Sequence, residues 1–137
     1  MSLKLEIYML NKTIWTTDAE KIILPAPNGL LEILPGHIKL ITALEIGALN
    51  IKTSEELTYM LVVGGVAYIE NNKVSIFSTR IEKVLTWELD SILLDLEETK
   101  KQLLNAPPNA ERLKIESSKK IKILLAKIRI IRNRVVL

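Results

Sequence analysis

The chain has 137 residues, of which 48% are hydrophobic, 26% charged and 4% aromatic, and its formal net charge is +3. That length buries one modest core or two small ones, and the sparse aromatics leave the core to Ile, Leu and Val. The absence of cysteine excludes disulfides, thiolate catalysis and cysteine–zinc sites, and so small a charge names no partner.

At the N-terminus Leu3, Leu5, Ile7 and Met9 alternate with Lys4, Glu6 and Tyr8, which predicts a half-buried strand. This start lacks the apolar core of a signal peptide and the arginine-rich, acid-poor character of a transit peptide. The expectation is a soluble chain made where it works or already processed. The longest nearly apolar run, Met60 to Ile69, falls far short of the roughly 20 residues a membrane-spanning helix needs. Asn11-Lys12 turns the chain into a second extended segment, Thr13 to Leu24, with an irregularity expected at Thr16-Thr17-Asp18.

Next comes the stretch around which the chain is organised, Pro27 to His37. Asn28-Gly29 and Pro35-Gly36 are two sharp turn signals, because asparagine and glycine tolerate positive φ and proline fixes its own. Between them Leu30 to Leu34 reads as a short strand. Ile38 to Leu44 and Gly47 to Ile51 read as two more, and Ser54-Glu55 as a hairpin tip leading into Leu57 to Val63. Gly64-Gly65 predicts a bulge or a close approach of backbones. Asn71-Asn72 predicts a two-residue hairpin turn between Val66 to Glu70 and Lys73 to Phe77. So many short strands at this spacing predict an N-terminal antiparallel β-sandwich or barrel over 1–85.

From Thr86 the period becomes helical. Leu89, Ile92, Leu93, Leu96, Leu103 and Leu104 share one face. Asn105-Ala106-Pro107-Pro108-Asn109 ends that helix, and Asn109 is expected to cap the next. The second helix, from about Ala110 to Val135, has its seam at Ile121, Leu124, Leu125, Ile128, Ile131 and Val135. The short link makes 86–137 an antiparallel two-helix hairpin. The longer helix should outrun its partner by about two turns, at about 1.5 Å per residue, leaving the end beyond Lys127 without one.

This helix carries Lys119, Lys120, Lys122, Lys127, Arg129, Arg132 and Arg134 and no acid after Lys119. At about 100° per residue, Ile123 and Ile130 lie opposite the seam, among basic residues. Either the face is simply solvated, or it docks on an acidic protein surface. Nucleic acid fits less well, because no aromatic stacking residue accompanies the basic run.

Catalytic constellations are missing. His37 is the single histidine, so the sequence supports neither a multi-histidine metal site nor a serine–histidine triad with a spare base. Asp18, Glu20 and Glu32 read as solvated strand residues, and no Gly-x-x-x-x-Gly-Lys loop is present. The residues point to a binding protein without cofactor or metal.

The order Asn28-Gly29, Ile33-Leu34-Pro35-Gly36-His37, Thr42-Ala43, Gly47-Ala48-Leu49-Asn50-Ile51, Gly64-Gly65-Val66-Ala67 and Asn71-Asn72 resembles the epsilon subunits of F-type ATP synthases over nearly the whole chain. Asn11 to Trp15, Ile69 to Lys73 and the ending Arg129, Arg132, Arg134, Val135 resemble the plastid and cyanobacterial branch. Three positions depart from the family: Glu32 replaces a glycine, Ile38-Lys39 an Ala-Pro, and Arg80-Ile81 acidic and small residues. The ATP-binding helix motif of some bacterial members is altered in Ile115-Glu116-Ser117-Ser118-Lys119-Lys120, so no nucleotide cofactor is expected.

The resemblance implies a non-catalytic rotor subunit that couples proton flow to rotation. The sandwich would bind the gamma subunit and the ring of membrane c subunits. Asn28, Gly29 and Glu32 would face the ring, and His37 would lie near gamma. The hairpin would restrain ATP hydrolysis by docking on the acidic segment of the beta subunits. Lys119, Lys122, Ile123, Lys127, Arg129, Ile130 and Arg134 would make that contact. The place would be the stromal face of the thylakoid membrane, peripheral to it, or the cytoplasmic face of a bacterial plasma membrane, with no nucleic acid involved. From the residues alone, a stand-alone adaptor using the basic helix on nucleic acid or anionic membrane, and a small β-barrel enzyme, remain open.

Overall fold

A computed structural model describes residues 2–10, 12–83 and 87–136, the side chains as far as Arg132. The chain divides into two units, 1–83 and 84–137. The expected boundary at 85/86 lies outside the described residues.

The first unit holds β1 (Leu3–Met9), β2 (Lys12–Ala19), β3 (Lys21–Ala26), β4 (Gly29–Ile33), β5 (Leu40–Lys52), β6 (Leu57–Glu70), β7 (Lys73–Ser78) and β8 (Ile81–Lys83). The hydrogen-bonded order is β2-β1-β7-β6-β5-β3-β4, with β8 also on β6. Alternation of apolar and polar residues builds the two layers. Leu3, Leu5, Ile7, Ile69, Val74 and Ile76 point inward from one, and Ile22, Leu24, Ile33, Leu49, Ile51, Met60 and Val62 from the other.

The layers are joined by β5 and β6, each long enough to run through both. The first half of β5 pairs with the second half of β6, from Leu40↔Ile69 to Leu44↔Gly65, and the remaining halves pair from Ile46↔Val63 to Lys52↔Leu57. The bend sits where glycine allows it. Gly64 and Gly65 have φ of 74° and 130°, and a Cβ on Gly65 would lie 2.2 Å from the Phe77 carbonyl oxygen. The four short strands expected around Gly64-Gly65 and Leu44 are therefore two continuous strands that change layer. The break in the second extended segment falls at Glu20, and its irregularity lies earlier than Thr16 to Asp18, at Ile14, the residue of β2 left unpaired where Ile7 faces Trp15 and Tyr8 faces Thr13. One pair departs from the antiparallel expectation: β1 runs parallel to β7, from Lys4↔Lys73 to Met9↔Ser78.

The second unit holds α1 (Leu89–Leu104) and α2 (Glu111–Val136). Ile92, Leu96, Leu124 and Ile128 form the buried seam, with Trp87, Leu89, Ile121 and Ile131 packed against it. Asp95 pairs with Lys120 across the helices at 3.3 Å. Leu125, expected in the seam, is 45% exposed, because at about 100° per residue it lies well to one side of Leu124 and Ile128. Leu93 and Leu104 are exposed as well. Past Lys127, α2 is not without a partner as expected: Ile128 belongs to the buried seam and Ile131 packs against it, as do Trp87 and Leu89 ahead of and at the start of α1, while the side chains beyond Arg132 lie outside the described residues. Ala110, not Asn109, precedes α2, and the Ala110 carbonyl accepts the first helical bond, from the Lys114 N–H at 3.1 Å.

Candidate docking surfaces

The β3–β4 tip turns at Pro27-Asn28, and Gly29 follows with a φ of 121° and open space where a Cβ would stand. Asn28, Gly29 and Leu30 are all exposed there. Glu32 is not at the tip. It lies three residues along β4, about 10 Å away at the strand rise, and its carboxylate meets Lys21 at 3.5 Å.

The second corner is a Pro35-Gly36 turn closed by the His37 N–H donating to the Leu34 carbonyl at 3.1 Å, with Gly36 at a φ of 87°. His37 is half-buried, and its Nδ1 donates to the Ile38 carbonyl at 2.8 Å. Ile38, immediately after it, is 76% exposed.

From this corner an apolar row crosses the outer face of the first layer. Ile41 and Ala43 on β5, Val66 on β6, Phe77 on β7 and Tyr8 on β1 are neighbours in register. Ile41 is 63%, Phe77 48% and Val66 44% exposed. Tyr8 and Phe77 stack with centroids 4.9 Å apart. Beside this row lies a charged one that is satisfied within the chain. Tyr8 Oη donates to Glu6, which also meets Lys73 at 3.4 Å and Lys4 at 3.6 Å. Tyr68 Oη donates to Glu70, which meets Lys39 at 3.6 Å. The bond from Tyr8 holds the Glu6 carboxyl below its usual range against partial burial, helped by Lys73 and Lys4, and the same bond raises Tyr8. Tyr68 and Glu70 shift likewise, each chiefly through their mutual hydrogen bond. With its charges already paired, this face offers a partner apolar area more than net charge.

The sequence reading missed this row. Its signal was in β6, where Val66-Ala67-Tyr68-Ile69 is apolar at outward as well as inward positions, the pattern of a strand covered on both sides.

On α2, Lys119, Lys122 and Arg129 are exposed as expected. Ile123 and Ile130 are not; they are 6% and 0% exposed, so the second apolar stripe is covered in this structure. Lys127 is half-buried, with its Nζ 5.1 Å above the Trp87 ring. The Arg134 side chain lies outside the described residues. A different stripe is open: Ile115, Ser118, Lys122, Leu125, Arg129 and Arg132 recur every three or four residues and are all exposed. Among the described residues no group of three metal-ligating side chains comes together, and no helix is long and apolar enough to cross a membrane.

Comparison with known proteins meets this geometry. Residues 2–84 match the family model of the beta-sandwich domain of the ATP synthase delta/epsilon chain. The chain is 35% identical over 113 residues to the chloroplastic ATP synthase epsilon chain of Guillardia theta, covering 82% of this chain and 86% of that protein. It is 38% identical over 128 residues to that of Pylaiella littoralis, covering 87% and 95%. Against the ATP synthase epsilon chain of Gloeothece citriformis (strain PCC 7424) it is 35% identical over 114 residues, with 83% of each covered. A chain in the cryo-EM structure of the Euglena gracilis mitochondrial ATP synthase, OSCP/F1/c-ring in rotational state 1, superposes with a TM-score of 0.82 at 17% identity over 91% of this chain and 78% of that one. A chain in the Tetrahymena thermophila mitochondrial central stalk and c-ring structure gives 0.64 at 15% identity over 93% and 97%. A sandwich with an open apolar face, a two-helix tail and relatives that run nearly its full length leave one assignment: the chain belongs to the ATP synthase epsilon family, a non-catalytic subunit, of the plastid and cyanobacterial type.

Proposed function

We propose that this chain is the rotor subunit that links gamma to the c-ring and restrains ATP hydrolysis through its helices. The observation that carries the reading is the apolar row Ile41, Ala43, Val66, Phe77 and Tyr8 beside the His37 corner. The sandwich already has a closed core of its own, so this row contributes nothing to that core and suits a permanent partner. Gamma takes this face together with His37, and the Asn28-Gly29 tip with Leu30 takes the ring. Glu32 serves the ring contact as a carboxylate already shared with Lys21.

The beta subunits' acidic segment takes the open stripe of α2. Lys122, Arg129 and Arg132 supply charge and Leu125 supplies an apolar centre, with Lys119 at the margin. Ile123, Lys127 and Ile130 join that contact only where they become exposed, since the two isoleucines are buried and Lys127 is half-buried. By its relatives' origin the complex sits on a thylakoid membrane, this chain on the stromal side. The test is to add the full chain to an epsilon-depleted ATP synthase head containing gamma. Co-purification with the head and a fall in ATPase activity are expected. A chain that neither binds nor slows hydrolysis overturns the reading.

A further inference from the structure

The connection 34–39 between β4 and β5 has no place in a strand ladder. It carries His37 and the exposed Ile38. Its own internal ties are the turn bond from His37 to Leu34 and the bond from His37 Nδ1 to the Ile38 carbonyl. Its end is held by Lys39 and Glu70 at 3.6 Å, a surface pair worth at most about 1 kcal/mol. One further bond reaches it from far along the chain. The Gly36 N–H donates to Asn72 Oδ1 at 2.7 Å, across 36 residues.

Asn72 is well placed to hold that bond. Asn71 and Asn72 both adopt left-handed conformations, with φ of 51° and 62°, in the tight turn between β6 and β7. The Asn72 carbonyl also accepts the Lys4 N–H at 2.8 Å, which anchors the turn to β1. The side chain is half-buried. A backbone N–H donor fixes which end of the carboxamide faces it. So the amide group stands on a turn anchored to β1 and reaches out to a segment that lies outside the strand ladders.

We propose that Asn72 is a positioning residue, whose carboxamide, through the Gly36 amide, sets the pose of the 34–39 connection and with it His37 and Ile38 for gamma. This rests on the gamma reading above. The turn needs left-handed residues, but the clamp needs an acceptor, and substitution separates the two. Asn72→Gly keeps the turn and removes the acceptor. Asn72→Asp keeps both. A connection left unclamped must be ordered at the moment of docking, which weakens affinity by about three- to tenfold.

The experiment uses the full chain with either substitution. Gly36 amide exchange in the free chain reads the clamp, the urea midpoint reads the fold, and titration with gamma reads the docking. With Asn72→Gly, Gly36 exchange should rise about tenfold or more and gamma affinity should fall by the stated factor, at an unchanged urea midpoint. Asn72→Asp should restore both. Equal Gly36 exchange in the native and Asn72→Gly chains overturns the clamp. Faster exchange with unaltered gamma affinity, or loss of affinity only in step with the urea midpoint, overturns the positioning role. If the native chain does not bind gamma at all, the parent reading and the positioning role both fall, while exchange still decides the clamp.

Discussion

Gly65→Ala tests the account of how two strands serve two layers. At a φ of 130° an L-residue is strained by about 1–3 kcal/mol. The added Cβ would also stand 2.2 Å from the Phe77 carbonyl oxygen and 3.1 Å from Ser78 Cβ. Relief requires β7 to move, which loosens the Val66↔Phe77 pairing at a cost of about 1 kcal/mol for one ladder hydrogen bond. The sum is about 2–4 kcal/mol, a large part of the margin of a small domain. Gly29→Ala is the control: its φ of 121° carries the same kind of strain, but nothing lies within 4 Å of the new atom. Urea unfolding would be followed in a Trp87→Phe background, so that Trp15 in β2 reports on the sandwich alone. With a slope of about 2 kcal/mol per molar urea, Gly65→Ala should lower the midpoint by about 1–2 M and Gly29→Ala by distinctly less. Because Phe77 is central to the apolar row, gamma affinity should fall as well. Equal midpoints for the two substitutions would refute the claim that close approach of β7, rather than backbone conformation alone, demands glycine at this corner.

Acid should destabilise the sandwich through Glu6 and Glu70. Their folded pKa values lie below the usual 4.5, so their contribution is present above that value and is lost as pH falls through the depressed one. Tyr8 and Tyr68 titrate above their usual 10.0 when folded, so their contribution is lost as pH rises beyond it; Glu6→Gln should flatten both limbs of a plot of urea midpoint against pH. Combined Lys122→Gln, Arg129→Gln and Arg132→Gln should keep α2 helical, since glutamine is a good helix former, yet relieve inhibition of ATPase several-fold, whereas any one of them should do little. Leu125→Gln should shift helix stability by less than about 0.5 kcal/mol while weakening inhibition, because the side chain is exposed; unchanged inhibition in both variants would mean the stripe is merely solvated. Gly29→Val, with a β-branched side chain at positive φ, should reduce proton-driven ATP synthesis in the reconstituted complex more than Lys100→Ala on the exposed side of α1, and equal rates would sink the tip as a ring contact.

Most of the sandwich was legible because its signals are local. The Asn71-Asn72 turn, the positive φ at Gly29 and Gly36, and the alternation in β1 all follow from residue chemistry within a few positions. What was not legible is what depends on a distant partner. Gly64-Gly65 announced an irregularity, but whether the chain breaks there or bends and continues is decided by Phe77, which lies twelve residues beyond Gly65 in sequence and against it in space. The parallel pairing of β1 with β7 likewise leaves no mark in either strand, because successive side chains point to opposite faces whichever way the neighbour runs.

The same division explains the helices. Periodicity located the seam through Leu124 and Ile128. It could not say which of the remaining apolar side chains stay open, because a helical wheel ranks directions and does not know what stands in each. Leu125 lies about 80° from the middle of the seam and Ile123 and Ile130 about 120–140° from it on the other side. Periodicity therefore favoured burying Leu125 and exposing the two isoleucines, and the structure does the reverse. An inhibitory arm with this arrangement has two sets of contacts to offer in sequence. If α2 is such an arm, the charged stripe with Leu125 is open to a partner, whereas Ile123 and Ile130, 6% and 0% exposed, are not. Initial docking would then be governed by charge and weakened by salt, and the committed inhibited state by apolar burial and resistant to it. The two regimes are separable by following hydrolysis when salt is added before, and after, inhibition is established.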